Sequence, residues 1–590
     1  MVKMKSRNEL SRNISFIAMG FMVLFSIATL RAYFLQVLKS GELTELIQSQ
    51  YRTSVELMPH RGTVYDRNGA ELAASIEVES LYAHPGLIRD TRAAAKLLAP
   101  ILDLPLHAVY RDLTSSKPFV WVQRKVTPTQ AEQIRALKIE GLGFLKESQR
   151  FYPQKEIAAQ VLGFVGVDSQ GLEGIERQYD SIIKGKSRKL FADRDAKGRH
   201  VFVEGLQPSD QSRQGNDLLL SLDKNIQYIA EKELQAAVTL SQAKSGTAIV
   251  MDPWTGEVLA SAVCPLFNPN QRSETDPDAW RNRAITDIYE PGSTFKTFSI
   301  ASAIEEGTVK PTDMFFCENG AYHIASHVIH DHGSYGWLDV ANIIKHSSNI
   351  GASKISRQLG KEQLYQYIRR FGFTAETGIS LPAEQSGFMP SLKNCSEHTQ
   401  GAISFGQSIT VTPLQMVTAY SSIANGGMLM QPQIVKRIVD STGAVVKQNT
   451  PVMKRRVISE KTAGIMRDML KQVVAPGGTG TKAAVEGYVV AGKTGTSQKI
   501  DQGGYSHSKV MASFAGFVPA DAPRLAIIVL VDEPQRMKFG GEIAAPAFSR
   551  MANAILNYLH VPPDAAPAQD PGLLKEIRTE PVKLAKLDEA

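Results

Sequence analysis

Cysteine is scarce: Cys264, Cys317 and Cys395 are the only three in 590 residues. None stands in a CxxC pair, which excludes a zinc ribbon and a thioredoxin-like motif. An odd, small number in so long a chain also argues against a disulfide framework, so three isolated buried thiols are expected. No run of lysine and arginine dominates, aromatic residues are not interleaved with basic ones, and the net charge is a modest +7. Nucleic-acid binding is therefore not expected. No internal repeat is present, which sets aside solenoids and propellers. The length exceeds one ordinary domain, so several domains are expected.

The first feature that is present is apolar. Lys3, Lys5, Arg7 and Arg12 precede a nearly uncharged run, ISFIAMGFMVLFSIATL, at residues 14–30. At ~1.5 Å rise per residue this is about the minimum for a helix crossing a ~30 Å core. AYFLQVL extends it after Arg31, whose head can snorkel to the interface. The reading is a cytoplasmic terminus at 1–13, an uncleaved single-pass anchor at 14–38, and the remainder outside, as the basic flank dictates. A cleaved signal peptide is the rival, but no A-x-A-like site follows the run. A buried core helix is the third option; it should show polar positions at helical spacing.

Beyond the anchor the texture is mixed. Residues 40–50 look helical and 53–57 strand-like. Asp66-Arg67-Asn68-Gly69 marks a tight turn between two short strands. Short helices and strands alternate over 85–150, residues 171–186 read as a glycine-broken turn into a helix, and 187–202 as a hairpin around Lys197-Gly198. The polar stretch 204–216 is taken as a boundary. After it, GTAIVMD, GEVLASAV, MASFAGFVP and RLAIIVLVDEP read as strands, with helices between them. Strands from both ends of this region imply an α/β domain with one central antiparallel sheet between helices. The Pro-, Ala- and charge-rich residues 561–590 read as a flexible tail.

Five serines head an S-x-x-K: Ser181, Ser221, Ser241, Ser293 and Ser506. Only Ser293 stands in the right context. Pro291 and Gly292 turn into an apolar helical segment, so Ser293 and Lys296 share a helix face near its start. A helix N-terminus favours a developing oxyanion, and a neutral lysine amine can take the serine proton. Ser347-Ser348-Asn349 and Lys493-Thr494-Gly495-Thr496 follow in order. The train S-x-x-K, S-x-N, K-T-G is far more specific than any one member. Ser347 is placed to relay a proton to the leaving amine and Asn349 to hold the substrate amide. Lys493 supplies positive charge for a substrate carboxylate, Thr494 and Thr496 supply hydroxyl donors, and Gly495 permits close backbone approach.

With these motifs the chain resembles class B penicillin-binding proteins, from the anchor to about residue 560. RGTVYDRNG, RFYPQKEIAAQVLG and GLEGIERQYD resemble the non-catalytic pedestal of that class. NRAITDIYEPGSTFK, HSSNIGASKI, SFGQSITVTPLQM and GKTGTSQ resemble its transpeptidase domain. The phrase RNRAITDIYEPGSTFK is closer to the division-specific (FtsI-type) branch than to the elongation branch. The resemblance implies an elongated α+β pedestal at 39–215 and a transpeptidase domain at 216–560. It implies acylation of Ser293 by a peptidoglycan stem peptide ending in D-Ala–D-Ala, transfer to a neighbouring amine, and an oxyanion hole of the Ser293 and Thr496 N–H groups. It implies no cofactor, inhibition by β-lactams, and partnership at the septum with an FtsW-type membrane glycosyltransferase and other division proteins. Residues 40–215 show no sign of the glycosyltransferase domain that class A members carry.

Bland readings compete elsewhere. His323, His327, His330 and His332 in AYHIASHVIHDHG have spacings that suit zinc, but the mechanism needs no metal, and solvated or hydrogen-bonded histidines near the site are expected. Asp66 and Arg67 read as a turn with a structural ion pair, and Trp254 and Trp337 as core or cleft-lining residues. The rival functions are a side-wall transpeptidase, a β-lactamase with the same motifs, and a silent β-lactam sensor. The anchor and pedestal oppose the β-lactamase, and the short terminus before the span leaves a sensor no signalling domain.

Overall fold

The turn at Asp66 forms as its residues dictate. Gly69 takes φ +86°, a left-handed conformation open to glycine at little cost, and the Asp66 carboxylate accepts N–H bonds from Asn68 and Ala70 at 2.8 Å. Arg67 pairs with Glu257 at 3.3 Å rather than with Asp66. The other Asp66 oxygen caps the N-terminus of the Lys224–Ser241 helix through Lys224 N at 3.0 Å.

The computed structural model describes residues 3–41, 52–57, 60–185, 188–194, 200–202, 214–324, 327–501 and 504–564. Much of the expected 40–50 helix, the turn around Lys197-Gly198, most of the 204–216 boundary and residues 565–590 of the tail lie outside the described residues. The chain divides into two units, one of residues 1–59 with 186–213, the other of 60–185 with 214–590. In the first, the helix Lys3–Tyr33 runs into a π-turn at Phe34–Leu38. The stretch Ser11–Leu38 is long and apolar enough to cross a membrane. The strand Arg52–Leu57 pairs antiparallel with Arg188–Arg194, which pairs with His200–Phe202.

In the second unit a mixed sheet of seven strands spans residue 216. Val64–Tyr65 pairs antiparallel with Glu71–Ala83 and parallel with Asp217–Leu220, which continues to Val435–Val439 and Val445–Gln448. Glu71–Ala83 also pairs with Val120–Val126 and Leu142–Phe151. Beside this sheet lies a buried ion network. Glu176 receives Arg61 on one carboxylate oxygen at 2.8 Å and Arg150 on the other, and Arg61 also reaches Asp180 at 2.6 Å. All three members of the Arg61–Glu176–Arg150 core are at least 95% buried.

The five-stranded sheet is wholly antiparallel, ordered Val258–Cys264, Ser245–Met251, Leu525–Asp532, Gly504–Val518, Ala491–Asp501. Ser245–Met251 and Val258–Cys264 are buried along their whole length, because helices cover both faces and leave no solvent side to demand alternation. Lys224–Ser241 and Gly540–Tyr558 pack on one face; Pro413–Ala424 packs on the other, with Lys296–Glu305 in the same core. The edge strand Ala491–Asp501 is not legible from AGKTGTSQKID, which has few β-branched residues; pairing with Gly504–Val518 imposes it. All three cysteines are free and buried. Trp254 and Trp337 are 48% and 64% exposed, so neither is a core residue.

Candidate active site

Three elements converge. A 3-10 turn at Gly292–Phe295 carries Ser293 and passes into the helix Lys296–Glu305. Ser347 ends the helix Val340–His346 and Ser348 caps the helix Asn349–Leu359, accepting from Gly351 N at 2.9 Å. The edge strand Ala491–Asp501 brings Lys493, Thr494, Gly495 and Thr496 alongside the 3-10 turn. Gly495 is required there: a Cβ would lie 2.4 Å from Ser513 Oγ and 3.1 Å from the Pro291 carbonyl. Ser347 is held at φ +63°, a strained conformation for a residue with a side chain.

Lys296 Nζ is fully buried and lies 2.9 Å from Ser293 Oγ, 2.6 Å from the Ser347 carbonyl, 3.1 Å from Ser347 Oγ and 2.7 Å from Asn349 Oδ1. Burial drives its pKa well below the usual lysine value, the nearby Lys493 charge adds to this, and Asp331 opposes it. A neutral amine has two N–H donors and one lone pair. The two shortest contacts are to oxygens that cannot donate, so they take the two hydrogens. The Asn349 orientation is fixed by its Nδ2, which donates to the His330 carbonyl at 2.8 Å. The lone pair then faces the Ser293 hydroxyl, the arrangement a general base needs.

Lys493 is buried, and burial pushes its pKa down to about 7. Its Nζ touches only the Thr494 carbonyl and hydroxyl, at 3.2 and 3.3 Å, with no carboxylate partner among the described residues. A buried lysine without a counter-ion, whose charged form burial disfavours, is stabilised in that form by an anionic ligand. Thr494 Oγ1 is 3.0 Å from Thr479 Oγ1. Thr496 Oγ1 accepts from Gly540 N at 3.0 Å, which leaves its own O–H to donate. All eight residues singled out in the sequence, Ser293, Lys296, Ser347, Asn349, Lys493, Thr494, Gly495 and Thr496, thus fall in one region.

Sequence reasoning passed over Asp331. Its Oδ2 accepts from Ser348 Oγ at 2.6 Å, and its Oδ1 from the backbone N–H groups of Asn349 and Ile350. Nothing in the spacing marks it, because it lies within the histidine-rich stretch and far upstream of Asn349. The four histidines there are exposed. His327 stacks on His398 with ring centroids 4.2 Å apart, and His332 lies edge-on to Phe539. Among the described residues no three His, Cys, Asp or Glu side chains form a metal-ligand group.

Two family profiles match the chain: "Penicillin binding protein transpeptidase domain" over residues 246–553 and "Penicillin-binding Protein dimerisation domain" over 56–220. The probable peptidoglycan D,D-transpeptidase PenA of Neisseria meningitidis is 35% identical over 554 residues, 93% of either chain. The peptidoglycan D,D-transpeptidase FtsI of Escherichia coli is 34% identical over 90% of this chain and 88% of its own. Stage V sporulation protein D of Bacillus subtilis is 34% identical over 94% of this chain and 86% of its own. Among solved structures, penicillin binding protein 3 of Mycobacterium tuberculosis with aztreonam superposes at TM-score 0.68 and 29% identity, covering 87% of this chain and 98% of that one.

Proposed function

The chain belongs to the penicillin-binding protein transpeptidase family, and from that premise we infer that it is a serine-type peptidoglycan D,D-transpeptidase acting through Ser293. The observation that carries this reading is the buried Lys296 Nζ 2.9 Å from Ser293 Oγ, its pKa pushed down by burial toward the neutral form a base requires.

Ser293 Oγ attacks the carbonyl carbon of the penultimate D-Ala while Lys296 Nζ takes its proton. The Ser293 and Thr496 N–H groups receive the oxyanion. On collapse the C–N bond breaks, and Ser347 relays the proton from Lys296 to the departing D-Ala amine. Asn349 orients both Lys296 and the substrate amide. Lys493, with Thr494 and Thr496, binds the terminal carboxylate, whose charge Lys493 lacks in the free enzyme. An amine from a neighbouring strand then attacks the ester and regenerates Ser293. A β-lactam acylates the same oxygen, and its tethered leaving group blocks the acceptor.

The same reading assigns residues 1–13 to the cytoplasm, 14–38 to a single-pass anchor in the inner membrane, 39–215 to a non-catalytic pedestal, 216–560 to the transpeptidase on the outer side of the membrane, and 561–590 to a tail. The kinship with FtsI and PenA supports a septal role beside an FtsW-type glycosyltransferase. The test is rapid-quench mass spectrometry with benzylpenicillin: a stoichiometric burst, a lasting adduct on Ser293, and none in Ser293→Ala. Sustained hydrolysis at several turnovers per second without an adduct would make the protein a β-lactamase.

A further inference from the structure

Next to the segments that carry the catalytic group lies a cavity of about 250 Å³. Glu290, three residues before Ser293, and Ser497, next after Thr496, both line it, so it adjoins the nucleophile without including it. Its lining mixes apolar side chains with polar ones, and several of the polar atoms are unpaired. Glu290 Oε1 accepts from Ser408 N at 2.9 Å and from the Tyr505 hydroxyl at 3.1 Å, while Oε2 has no partner. The Tyr289 hydroxyl and Thr410 Oγ1 in the same lining are also without partners, and Tyr289 is 92% buried.

The charges of the lining decide what it takes. Its two cations already hold carboxylates: Arg283 pairs with Asp287 at 2.8 Å and also with Asp278, leaving only its Nε unpartnered, and Lys499 pairs with Asp532 at 2.8 Å and Glu533 at 2.7 Å. Glu290 is the lining carboxylate left without a cation. A shielded carboxylate oxygen with no donor is costly, and an incoming N⁺–H group both satisfies and neutralises it.

We propose that this cavity docks the acceptor: a primary ammonium on a flexible aliphatic chain, held by Glu290 beside the acyl-enzyme until it gives up one proton to solvent and the free amine advances to the ester. The inference rests on the transpeptidase reading and names a determinant of its second step. Glu290 is a positioning residue for that step; it does not touch the ester. The surrounding burial, which raises the Glu290 pKa, also means that a bound cation and the ionised carboxylate favour each other.

The test uses the full chain in detergent micelles with a small D-alanyl thioester as donor, the folded fraction being titrated with labelled penicillin. Two acceptors are compared near neutral pH: 1,5-diaminopentane, which arrives as an ammonium, and hydroxylamine, which arrives uncharged. Glu290→Gln should raise the apparent KM for 1,5-diaminopentane about tenfold, the scale of one charge-assisted contact, with a much smaller effect on hydroxylamine. Glu290→Asp should recover part of the loss. An equal effect on both acceptors, or none on either, overturns the docking site while the transpeptidase reading stands. Hydrolysis of the thioester by the wild-type protein without aminolysis by any amine overturns both.

Discussion

Replacing Asp331 tests whether the S-x-N motif is aimed from outside itself. Its carboxylate holds Ser348 Oγ and the N–H groups of Asn349 and Ile350, and Asn349 Oδ1 in turn touches Lys296 Nζ. Losing a helix-capping acceptor costs ~0.5–2 kcal/mol, and bonds to a charged group contribute ~1.5–3 kcal/mol each before water replaces them. Asp331 is half-buried, so water will recover part of this, and Asp331→Ala should lose about 2–3 kcal/mol of stability. If a comparable share is lost from the oriented Asn349–Lys296 contact, acylation slows by about 10- to 100-fold. Asp331→Asn keeps one acceptor oxygen and should lose less stability. It carries a second signature, because the Asp331 charge favours the Lys296 ammonium. Without that charge the Lys296 pKa falls further, so the ascending limb of the acylation–pH profile moves to lower pH. Stopped-flow acylation with a fluorescent penicillin, normalised to folded protein, reads both effects. A folded variant that acylates at the wild-type rate with an unmoved limb would refute the reasoning and show that the Asn349–Leu359 helix positions Asn349 unaided.

Other perturbations follow from single contacts. Glu231 is buried in the Lys224–Ser241 helix, where burial raises its pKa to about 7 although Gln227 and Ala158 N donate to it. An acid raised on folding favours the folded state at low pH, and this contribution is lost as pH rises from about 4.5 to 7. Relative to Glu231→Gln, the wild type should therefore lose on the order of 3 kcal/mol across that window, read as the difference between two melting-temperature profiles. Arg61→Ala leaves Glu176 with Arg150 alone in a buried setting and should cost ~3–5 kcal/mol in chemical denaturation, with penicillin acylation per folded molecule nearly intact. Gly406→Ala would place a Cβ 2.2 Å from the Gly292 carbonyl at φ +80°, so the nucleophile turn must move, and acylation should fall by about tenfold or more.

The clustering of the eight candidate residues was legible because motif order encodes it: each carries its own chemical type in a fixed local spacing. The strands of the catalytic sheet were legible where burial on both faces made them apolar, as in Leu525–Asp532. The strand bearing Lys493 was not, because its conformation comes from a neighbour rather than from its own residues. Asp331 was hidden for a similar reason. Its role exists only once two distant segments meet, and a lone aspartate among histidines drew attention to metal chemistry instead. Arg67 showed the limit of local inference: the adjacent carboxylate was expected as its partner, and the fold supplied Glu257.

The sheet that crosses residue 216 also sets the order in which the chain can be completed during synthesis. Val64–Tyr65 emerges early, yet its parallel neighbour is Asp217–Leu220, and that strand is flanked in turn by Val435–Val439. Until those later segments are made, the early strands stand with an open edge, the condition in which chains pair with one another. A nascent or truncated product ending before Val435 therefore has a sheet that only another polypeptide can close.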